Sequence, residues 1–398
     1  MFFLNPRILI LASLTALAPF AIDTYLPAFQ VMEYDLATNS NFIQQTLTFY
    51  LVPYTIMTIF HGAISDSIGR IKTIKYGMSL FILGSIGCAF ATSIEMLWIS
   101  RLIQGVGAGA GNVVARAMVR DLYSGATAQK VMATIQIIFG IAPAIAPMVG
   151  GLLLGISWQA IFIFLIIYSV LITFFSVNYL PETISKQNRL PFNFESVLNR
   201  YKDLLNDKNY IFLILAVSFN FSAFFLYVLS SPIFLMQHLN LSSSQFGYLF
   251  IPTVTGMIIG SFISKKTAGI ISPARMLKIA YLWMLLITTF NLIFCLFFPS
   301  ILFVNIGLIA FYNIGMAAAM PLISIKALDC FPKARGTAAS GQAFSQMLVS
   351  SFVAGLVIPI IWGSLATLAI GMLVIFFLGL LAITKTQAWK DEELLLDE

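Results

Sequence analysis

The chain has 398 residues, of which 59% are hydrophobic and only 10% are charged, and its net charge is +6. Soluble domains carry about 25% charged residues. A membrane core about 30 Å thick requires about 20 apolar residues of helix to cross it. Twelve such stretches lie near residues 8–28, 42–61, 74–92, 96–118, 131–154, 158–179, 209–236, 245–263, 275–297, 300–324, 337–360 and 363–384. Because every backbone amide must be hydrogen bonded inside a membrane, we predict an all-α membrane protein with twelve transmembrane helices, which excludes a soluble enzyme.

Lys and Arg residues concentrate in the loops on one side of these spans. The loops on the other side hold Glu33, Asp35 and Glu95 but neither Lys nor Arg. Since basic loops stay inside the cell, we expect both termini in the cytoplasm. The positive charge therefore reflects topology and implies no nucleic-acid partner. Arg7 and the apolar run after it resemble a secretion signal, but the run is too long and eleven spans follow it.

Asp23 and Arg101 lie inside predicted spans, where charge is costly unless it is paired or solvated. Asp23 lies about 24 Å along an outward-running helix that starts near Arg7, at about 1.5 Å per residue. Arg101 lies about 9 Å below the outer surface in a helix that runs inward from Glu95. In a membrane core about 30 Å thick these two depths nearly coincide, so an ion pair between Asp23 and Arg101 is geometrically possible. The carboxylate could take a proton when the pair opens. A static structural pair is the alternative interpretation.

A charged turn at residues 62–72 separates the second and third spans. Asp66 could face the start of the eleventh span at residues 335–337, because the amino terminus of a helix favours an anion. Arg70 could meet Asp121, just beyond the fourth span. Such contacts would form a gate on the cytoplasmic side, whereas a solvated basic loop is the alternative. The candidate gate residues are Gly62, Asp66, Gly69, Arg70, Arg116 and Asp121.

The fourth and fifth spans contain unusual runs of small residues and prolines. Residues 105–111 partly match a dinucleotide-binding loop, but that loop needs a preceding strand, and here the glycines favour close helix packing. In the fifth span, prolines should bend the helix, and glycines should let a neighbour approach closely. A kinked structural helix is the alternative to a moving one. The candidate residues of this span are Pro143, Pro147, Gly150 and Gly151.

Several polar and aromatic side chains within spans are candidates for a substrate cavity, since polar groups avoid lipid. These candidates are Tyr25, Gln104, Asn112, Gln136, Asn220, Phe224, Tyr227 and Asn313. Sequence leaves open whether they contact substrate or only hold helices together. The two histidines and three cysteines are far apart, so we expect no metal site. No nucleotide motif is present either, so transport would run on an ion gradient.

Residues 180–208 form the longest polar stretch and divide the chain into two halves of six spans, 1–179 and 209–398. Apolar residues recur at helical spacing within this linker and predict an amphipathic helix on the inner membrane face, with a semi-ordered linker as the alternative. The second half ends in a short acidic tail, Asp391–Glu398. A degraded copy of the charged turn at residues 260–266 indicates that the halves are repeats.

The turn at residues 62–72 resembles the pattern G-x-x-x-D-x-x-G-R-[RK] of the major facilitator superfamily, with Ile71 where a base is usual. Further segments resemble the Bcr/CflA branch of drug:proton antiporters: Asp23–Ala28, Arg101–Gly105, Ala115–Tyr123 and Leu180–Thr183. Residues 140–151 resemble the antiporter motif of the fifth helix, although Ala142-Pro143 stands where Gly-Pro is usual.

This resemblance implies two six-helix bundles that alternate in access and export small amphipathic compounds against inward proton flow. It implies that Arg101 takes part in proton coupling with Asp23, without a cofactor. We expect a monomer in the inner membrane of a bacterium, whose partners are substrate, protons and lipid. Import or export of a siderophore or small metabolite is the alternative function. A sensor or scaffold that transports nothing is a second alternative.

Overall fold

A computed structural model describes residues 5–191, 194–241, 247–298 and 300–389. The first seven helices are α1 (Pro6–Asp23), α2 (Phe29–Asp35), α3 (Ser40–Ile68), α4 (Arg70–Ala89), α5 (Ile94–Leu122), α6 (Gly125–Leu154) and α7 (Trp158–Tyr179). The remaining helices are α8 (Phe194–Asn206), α9 (Lys208–Leu229), α10 (Gly247–Thr267), α11 (Pro273–Phe297), α12 (Leu302–Asp329), α13 (Arg335–Phe352), α14 (Ile358–Ile361) and α15 (Leu365–Thr384).

Each predicted span contains one long helix, and the span at 337–360 also includes the short helix α14. Among the described residues, α2 and α8 are the helices that lie outside the predicted spans. Eight helical segments within the described ranges are long and apolar enough to cross a membrane by length and composition. The count becomes nine if α6, which is bent by 40°, is taken as one span. The helices α4, α5 and α13 fall short because they carry more glycine, polar and charged residues.

Three predicted spans are interrupted near their carboxyl-terminal ends. The first helix stops at Asp23, and a 3₁₀ turn at Leu26–Ala28 follows it. Pro27 lies in that turn, and a proline disfavours helical geometry at the residue before it. A π-helical turn at Pro232–His238 follows α9, and another at Val353–Val357 joins α13 to α14. Proline again lies at or just after each of these irregular turns, where it removes a backbone donor.

The chain divides into two compact units. The first unit comprises residues 1–122, 138–201 and 333–340, and the second comprises residues 123–137, 202–332 and 341–398. The opening turns of α13 therefore belong to the first unit, and the opening turns of α6 belong to the second. The domain boundaries expected from sequence stay a prediction, and the acidic tail lies outside the described residues.

Close helix packing in the first unit depends on the glycines of α5. A Cβ at Gly105 would overlap the backbone carbonyl of Tyr50 in α3, and a Cβ at Gly107 would overlap Gly77 and Phe81 in α4. Two neighbours thus approach α5 to backbone contact, as small residues permit in membranes. The packing interpretation of residues 105–111 is confirmed, and α5 is positioned at the centre of this unit.

In the second unit, α12 is the most enclosed helix and α10 packs closely on it. A Cβ at Gly256 or Gly260 of α10 would overlap the backbone carbonyls of Ala310 and Ile314 in α12. The same use of small residues therefore occurs in both units. The helix α8 lies within the predicted linker at residues 180–208. It buries Val197 and Leu204 and exposes Leu198 and Leu205.

Candidate functional site

Arg101 lies fully buried in α5, where it cannot reach water. Its Nη1 donates hydrogen bonds to the backbone carbonyl of Ala21 in α1, at 3.1 Å, and to Oε1 of Gln104, at 2.5 Å. Gln104 in turn donates from Nε2 to Oγ of Ser85 in α4, at 2.8 Å. A chain of hydrogen bonds therefore holds the arginine against three helices, α1, α4 and α5.

Two tyrosine rings cover the Arg101 guanidinium. The guanidinium carbon lies 4.2 Å from the ring centre of Tyr25 and 4.5 Å from that of Tyr50. The Tyr25 hydroxyl is 3.0 Å from Oγ1 of Thr46 in α3, which fixes the orientation of its ring. Each cation–π contact contributes about 0.5–2 kcal/mol. The rings therefore stabilise a buried cation that has no carboxylate beside it.

Asp23 is the last residue of α1 and is half-buried. It forms no hydrogen bond or ion pair with any residue that the structure describes. The ion pair with Arg101 that helix depth allows is therefore absent, because Arg101 bonds instead to the Ala21 carbonyl and to Gln104. Two donors of Arg101, Nε and Nη2, are buried without a partner in the described part of the chain. The acceptor and the donors needed for the pair are thus both unoccupied.

The bent helix α6 approaches this region through one glycine. A Cβ at Gly150 would overlap the backbone carbonyl of Thr24, the residue that follows Asp23, whereas a Cβ at Gly151 would meet nothing within 4 Å. The bend occurs at the segment that contains Pro143, as expected for a proline inside a helix. Pro147 lies in the second limb of the bent helix. Gly150 therefore brings α6 into contact with the end of α1.

Asp66 is the centre of a second site, which we call the Asp66 cluster and which consists of Asp66, Arg70, Asp121, Glu182, Arg335 and Thr337. The Asp66 carboxylate is fully buried. Oδ1 accepts from the backbone nitrogen of Gly336 at 3.0 Å, and Oδ2 accepts from the backbone nitrogen and the hydroxyl of Thr337 at 2.7 and 2.6 Å. Since α13 begins at Arg335, the carboxylate caps the amino terminus of this helix. The contact expected from sequence is formed.

Arg70 connects Asp66 to the end of α5. Its Nη1 lies 2.7 Å from Oδ1 of Asp66, and its Nε lies 3.0 Å from Oδ2 of Asp121. Asp121 also pairs with Arg335 at 3.1 Å and accepts a hydrogen bond from the hydroxyl of Thr183 at 2.8 Å. Both expected contacts of the turn are therefore present, and each carboxylate has several donors.

The turn itself is shaped by two glycines. Gly69 has φ 104°, a conformation that side-chain-bearing residues rarely adopt. Glu182 caps the helix that starts there, because its carboxylate accepts from the backbone nitrogens of Arg70 and Ile71 at 2.9 and 3.3 Å. Gly62 donates its backbone N–H to Oγ of Ser340 in α13, at 2.8 Å.

Arg116 does not join the Asp66 cluster, although sequence grouped it with the gate. It is half-buried in α5 and forms no hydrogen bond or ion pair with a described residue. Tyr54 of α3 lies close enough for an electrostatic interaction. Asn112, one turn before Arg116, also lies close to the Tyr54 side chain.

The remaining cavity candidates lie in the second unit, and three of them hydrogen bond to neighbouring helices. Nδ2 of Asn220 donates to the Tyr281 hydroxyl at 2.5 Å, and the Tyr227 hydroxyl accepts from Asn291 at 3.0 Å. Asn313 donates to the backbone carbonyl of Thr253 at 3.1 Å. Phe224 is buried, and Gln136 is half-buried in the opening part of α6. Among the described residues, no group of three or more His, Cys, Asp or Glu could hold a metal.

Sequence reasoning missed several contributors to these sites. Tyr50 covers Arg101, and Glu182 caps α4, yet neither was assigned a role from its position. An aromatic residue at helical spacing from Tyr54 is the signal that could have found Tyr50. Glu182 gave no comparable signal. It lies in a loop, and only the path of that loop decides which helix its carboxylate caps.

The family model described as Major Facilitator Superfamily matches residues 11–359. A bicyclomycin resistance protein homolog of Haemophilus influenzae is 31% identical over 274 residues, which are 69% of each chain. Multidrug resistance protein D of Escherichia coli is 27% identical over 360 residues, which are 88% of this chain and 87% of that protein. The structure of the proton:xylose symporter XylE matches with a TM-score of 0.75 and 16% identity, over 95% of this chain and 94% of the other.

These comparisons confirm the twelve-helix membrane fold and the resemblance to the Bcr/CflA branch that the sequence motifs indicated. The low identity of the symporter means that it supports the fold alone. Members of this family carry small molecules across membranes and are not enzymes. The chain belongs to the major facilitator superfamily.

Proposed function

We propose that this protein exports small amphipathic compounds in exchange for protons, by alternating access. The names of the relatives support a drug-type substrate, since they include multidrug and bicyclomycin resistance proteins. The observation that carries the proposal is the half-buried carboxylate of Asp23 at the end of the first span, without a partner among the described residues. A carboxylate in that position can take and release a proton where its environment changes.

Arg101 supplies the change of environment. Its Nε and Nη2 have no acceptor within the described part of the chain, and Asp23 has no donor there. When Asp23 loses its proton, pairing with these donors would stabilise the carboxylate. When Asp23 is protonated, Arg101 keeps its bonds to the Ala21 carbonyl and to Gln104. The proton and the arginine would therefore compete for one carboxylate, which couples protonation to a rearrangement of α1 against α5.

The Asp66 cluster would serve as the gate. Asp66 holds the start of α13 through Gly336 and Thr337, and Arg70 ties Asp66 to Asp121. Opening the gate would expose these charged groups to water, which solvates them when the protein contacts are lost. The cluster can therefore separate without leaving a buried charge unpaired.

The energy source would be the proton gradient, with no cofactor. Both termini would lie in the cytoplasm, as the basic loops indicate, and the protein would act as a monomer in the bacterial inner membrane. Asp23 and Arg101 would carry proton coupling, and the helix with Pro143, Pro147, Gly150 and Gly151 would move against the end of α1. Residues with unoccupied polar groups, such as Asn112, would contact substrate.

Transport in inverted membrane vesicles tests the proposal. Vesicles that contain the protein, acidified inside, should accumulate radiolabelled chloramphenicol or bicyclomycin, and a protonophore should abolish the accumulation. Vesicles without the protein provide the background. Accumulation of a catecholate siderophore instead of the drugs would establish the alternative function, and uptake only in right-side-out vesicles would reverse the direction. No gradient-dependent movement of any of these compounds would contradict proton-coupled export.

A further inference from the structure

The membrane helices of the first unit contain more positive than negative charge. Asp23 is an acidic residue within its spans, whereas Arg101 and Arg116 are both cationic. Arg101 is covered by two aromatic rings and bonded to a carbonyl and an amide. Arg116 has none of these, so its charge is the less compensated of the two.

The two carboxylates that the described residues place near the end of α5, Asp121 and Asp66, are not available to neutralise Arg116. Asp121, five residues further on, already accepts from Arg70, Arg335 and Thr183. Asp66 accepts from Arg70, Gly336 and Thr337. Both acidic groups are thus occupied by other donors. A cation within a membrane helix is costly unless something pairs with it, so a missing anion is the simplest partner.

The groups around Arg116 are polar, uncharged and partly unsatisfied. Tyr54 of α3 lies close to both Arg116 and Asn112. Asn112 lies four residues before Arg116, on the same face of α5, because residues four apart are neighbours on a helix. Asn112 is only 7% exposed, and its Oδ1 has no partner among the described residues. Two turns further along α3, His61 is 4% exposed, and its Nδ1 also has no described partner.

We propose that Arg116, Tyr54 and Asn112 bind an acidic group of the transported molecule, so that amphipathic anions are substrates. The guanidinium supplies paired donors for a carboxylate or sulfonate, a geometry that favours planar oxyanions. The Asn112 oxygen accepts from a hydroxyl or amide of the same molecule. This inference rests on the proposed transport function, but it concerns the charge of the substrate and does not require proton coupling.

Equilibrium binding of two matched probes tests the proposal without transport. The probes are 2-naphthoate, which is anionic, and 2-naphthamide, which is neutral and nearly the same shape. The full-length protein is placed in nanodiscs of phosphatidylcholine. The wild type should bind 2-naphthoate about tenfold or more tightly than 2-naphthamide, as expected for a hydrogen-bonded charged group. Equal binding, or no binding of 2-naphthoate, overturns the proposal.

Two variants assign the preference to this site by independent means. Arg116→Gln removes the cation and should eliminate the preference for 2-naphthoate. Asn112→Asp places a carboxylate one turn from Arg116. This carboxylate should pair with the guanidinium and eliminate the preference for 2-naphthoate, while the added ion pair keeps the buried charge compensated. Arg116→Lys retains the positive charge and should keep part of the preference for 2-naphthoate. Arg275→Gln, the same charge change at an exposed position of α11, is the control and should bind like the wild type.

A preference that persists in both Arg116→Gln and Asn112→Asp would overturn the assignment. Loss of the preference in Arg275→Gln would do the same, because it would trace the effect to net charge. A wild type that binds the anion but moves no protons would contradict the proposed coupling and leave this site intact.

Discussion

In the first unit, the opening turn of α13 rests on the α3–α4 turn through the buried carboxylate of Asp66. In the second unit, the opening turn of α6 rests on the end of α10 through an uncharged side chain. There Nε2 of Gln129 donates to the backbone carbonyl and to the hydroxyl of Ser264, at 2.9 and 3.2 Å. Two contacts at positions that the proposed sequence repeat would make equivalent thus use different chemistry. The charged one depends on salt bridges and a helix terminus, and the neutral one on two hydrogen bonds.

The spans show the same contrast. The first unit holds Asp23, Arg101 and Arg116 within its helices. Residues 209–264, 279–325 and 336–384 contain no Asp, Glu, Lys or Arg at all. The hydrogen bonds there join amides, hydroxyls and tyrosines, such as Asn220 with Tyr281 and Ser218 with Ser345. Carboxylate, lysine and arginine side chains deep within the spans therefore belong to the first unit, and the second unit holds its helices together there with neutral hydrogen bonds.

Removing the carboxylate of the charged contact should have the largest effect on stability. Asp66→Ala leaves the guanidinium of Arg70 partly unpaired and the start of α13 without its cap. Breaking a buried pair in this way costs about 3–5 kcal/mol. Chemical unfolding of the purified protein measures the loss. A loss no larger than that of a neutral contact would contradict the contrast between the two sites.

Crowding the charged contact without removing any group should have an intermediate effect. In Gly336→Ala, the added Cβ overlaps Arg70, Ser65 and Asp66. Overpacking of this kind costs about 1–3 kcal/mol. Gly363→Ala is the matched control, since a Cβ there meets nothing within 4 Å. Equal unfolding midpoints for the two variants would show that the cluster has room to adjust.

The smallest effect should come from the neutral contact. Gln129→Ala removes two hydrogen bonds to Ser264 and leaves no charge unpaired. The net contribution of a neutral hydrogen bond is about 0.5–1.5 kcal/mol. The two bonds share the donor nitrogen of Gln129, and the one to the hydroxyl is long, so the loss should be closer to one such contribution than to two. The same unfolding assay applies, and Ser264→Ala should cost less than Gln129→Ala, because the backbone carbonyl of residue 264 still accepts. A cost equal to that of Asp66→Ala would remove the contrast.

The elements that could be predicted from sequence are those set by length and by local chemistry. Apolar length predicted the twelve spans, and Pro143 predicted the bend of α6. The partners of Asp66 and Arg70 followed from charge and from the anion preference of a helix terminus. Helix depth placed Asp23 and Arg101 at one level, but depth says nothing about the direction a side chain takes. Arg101 turns to the Ala21 carbonyl and to two tyrosine rings, a choice decided by packing around α5.

The most direct test of the account asks whether proton coupling depends on the charged spans of the first unit. Liposomes that enclose a pH-sensitive dye and hold the purified protein receive a transported compound, and proton movement is recorded. We predict substrate-triggered proton movement in the wild type and in Asp329→Asn, which removes a carboxylate at the end of α12 in the second unit. The signal should be absent in Asp23→Asn, while exchange of labelled for unlabelled substrate continues. Proton movement that persists in Asp23→Asn, or disappears in Asp329→Asn, would contradict the account.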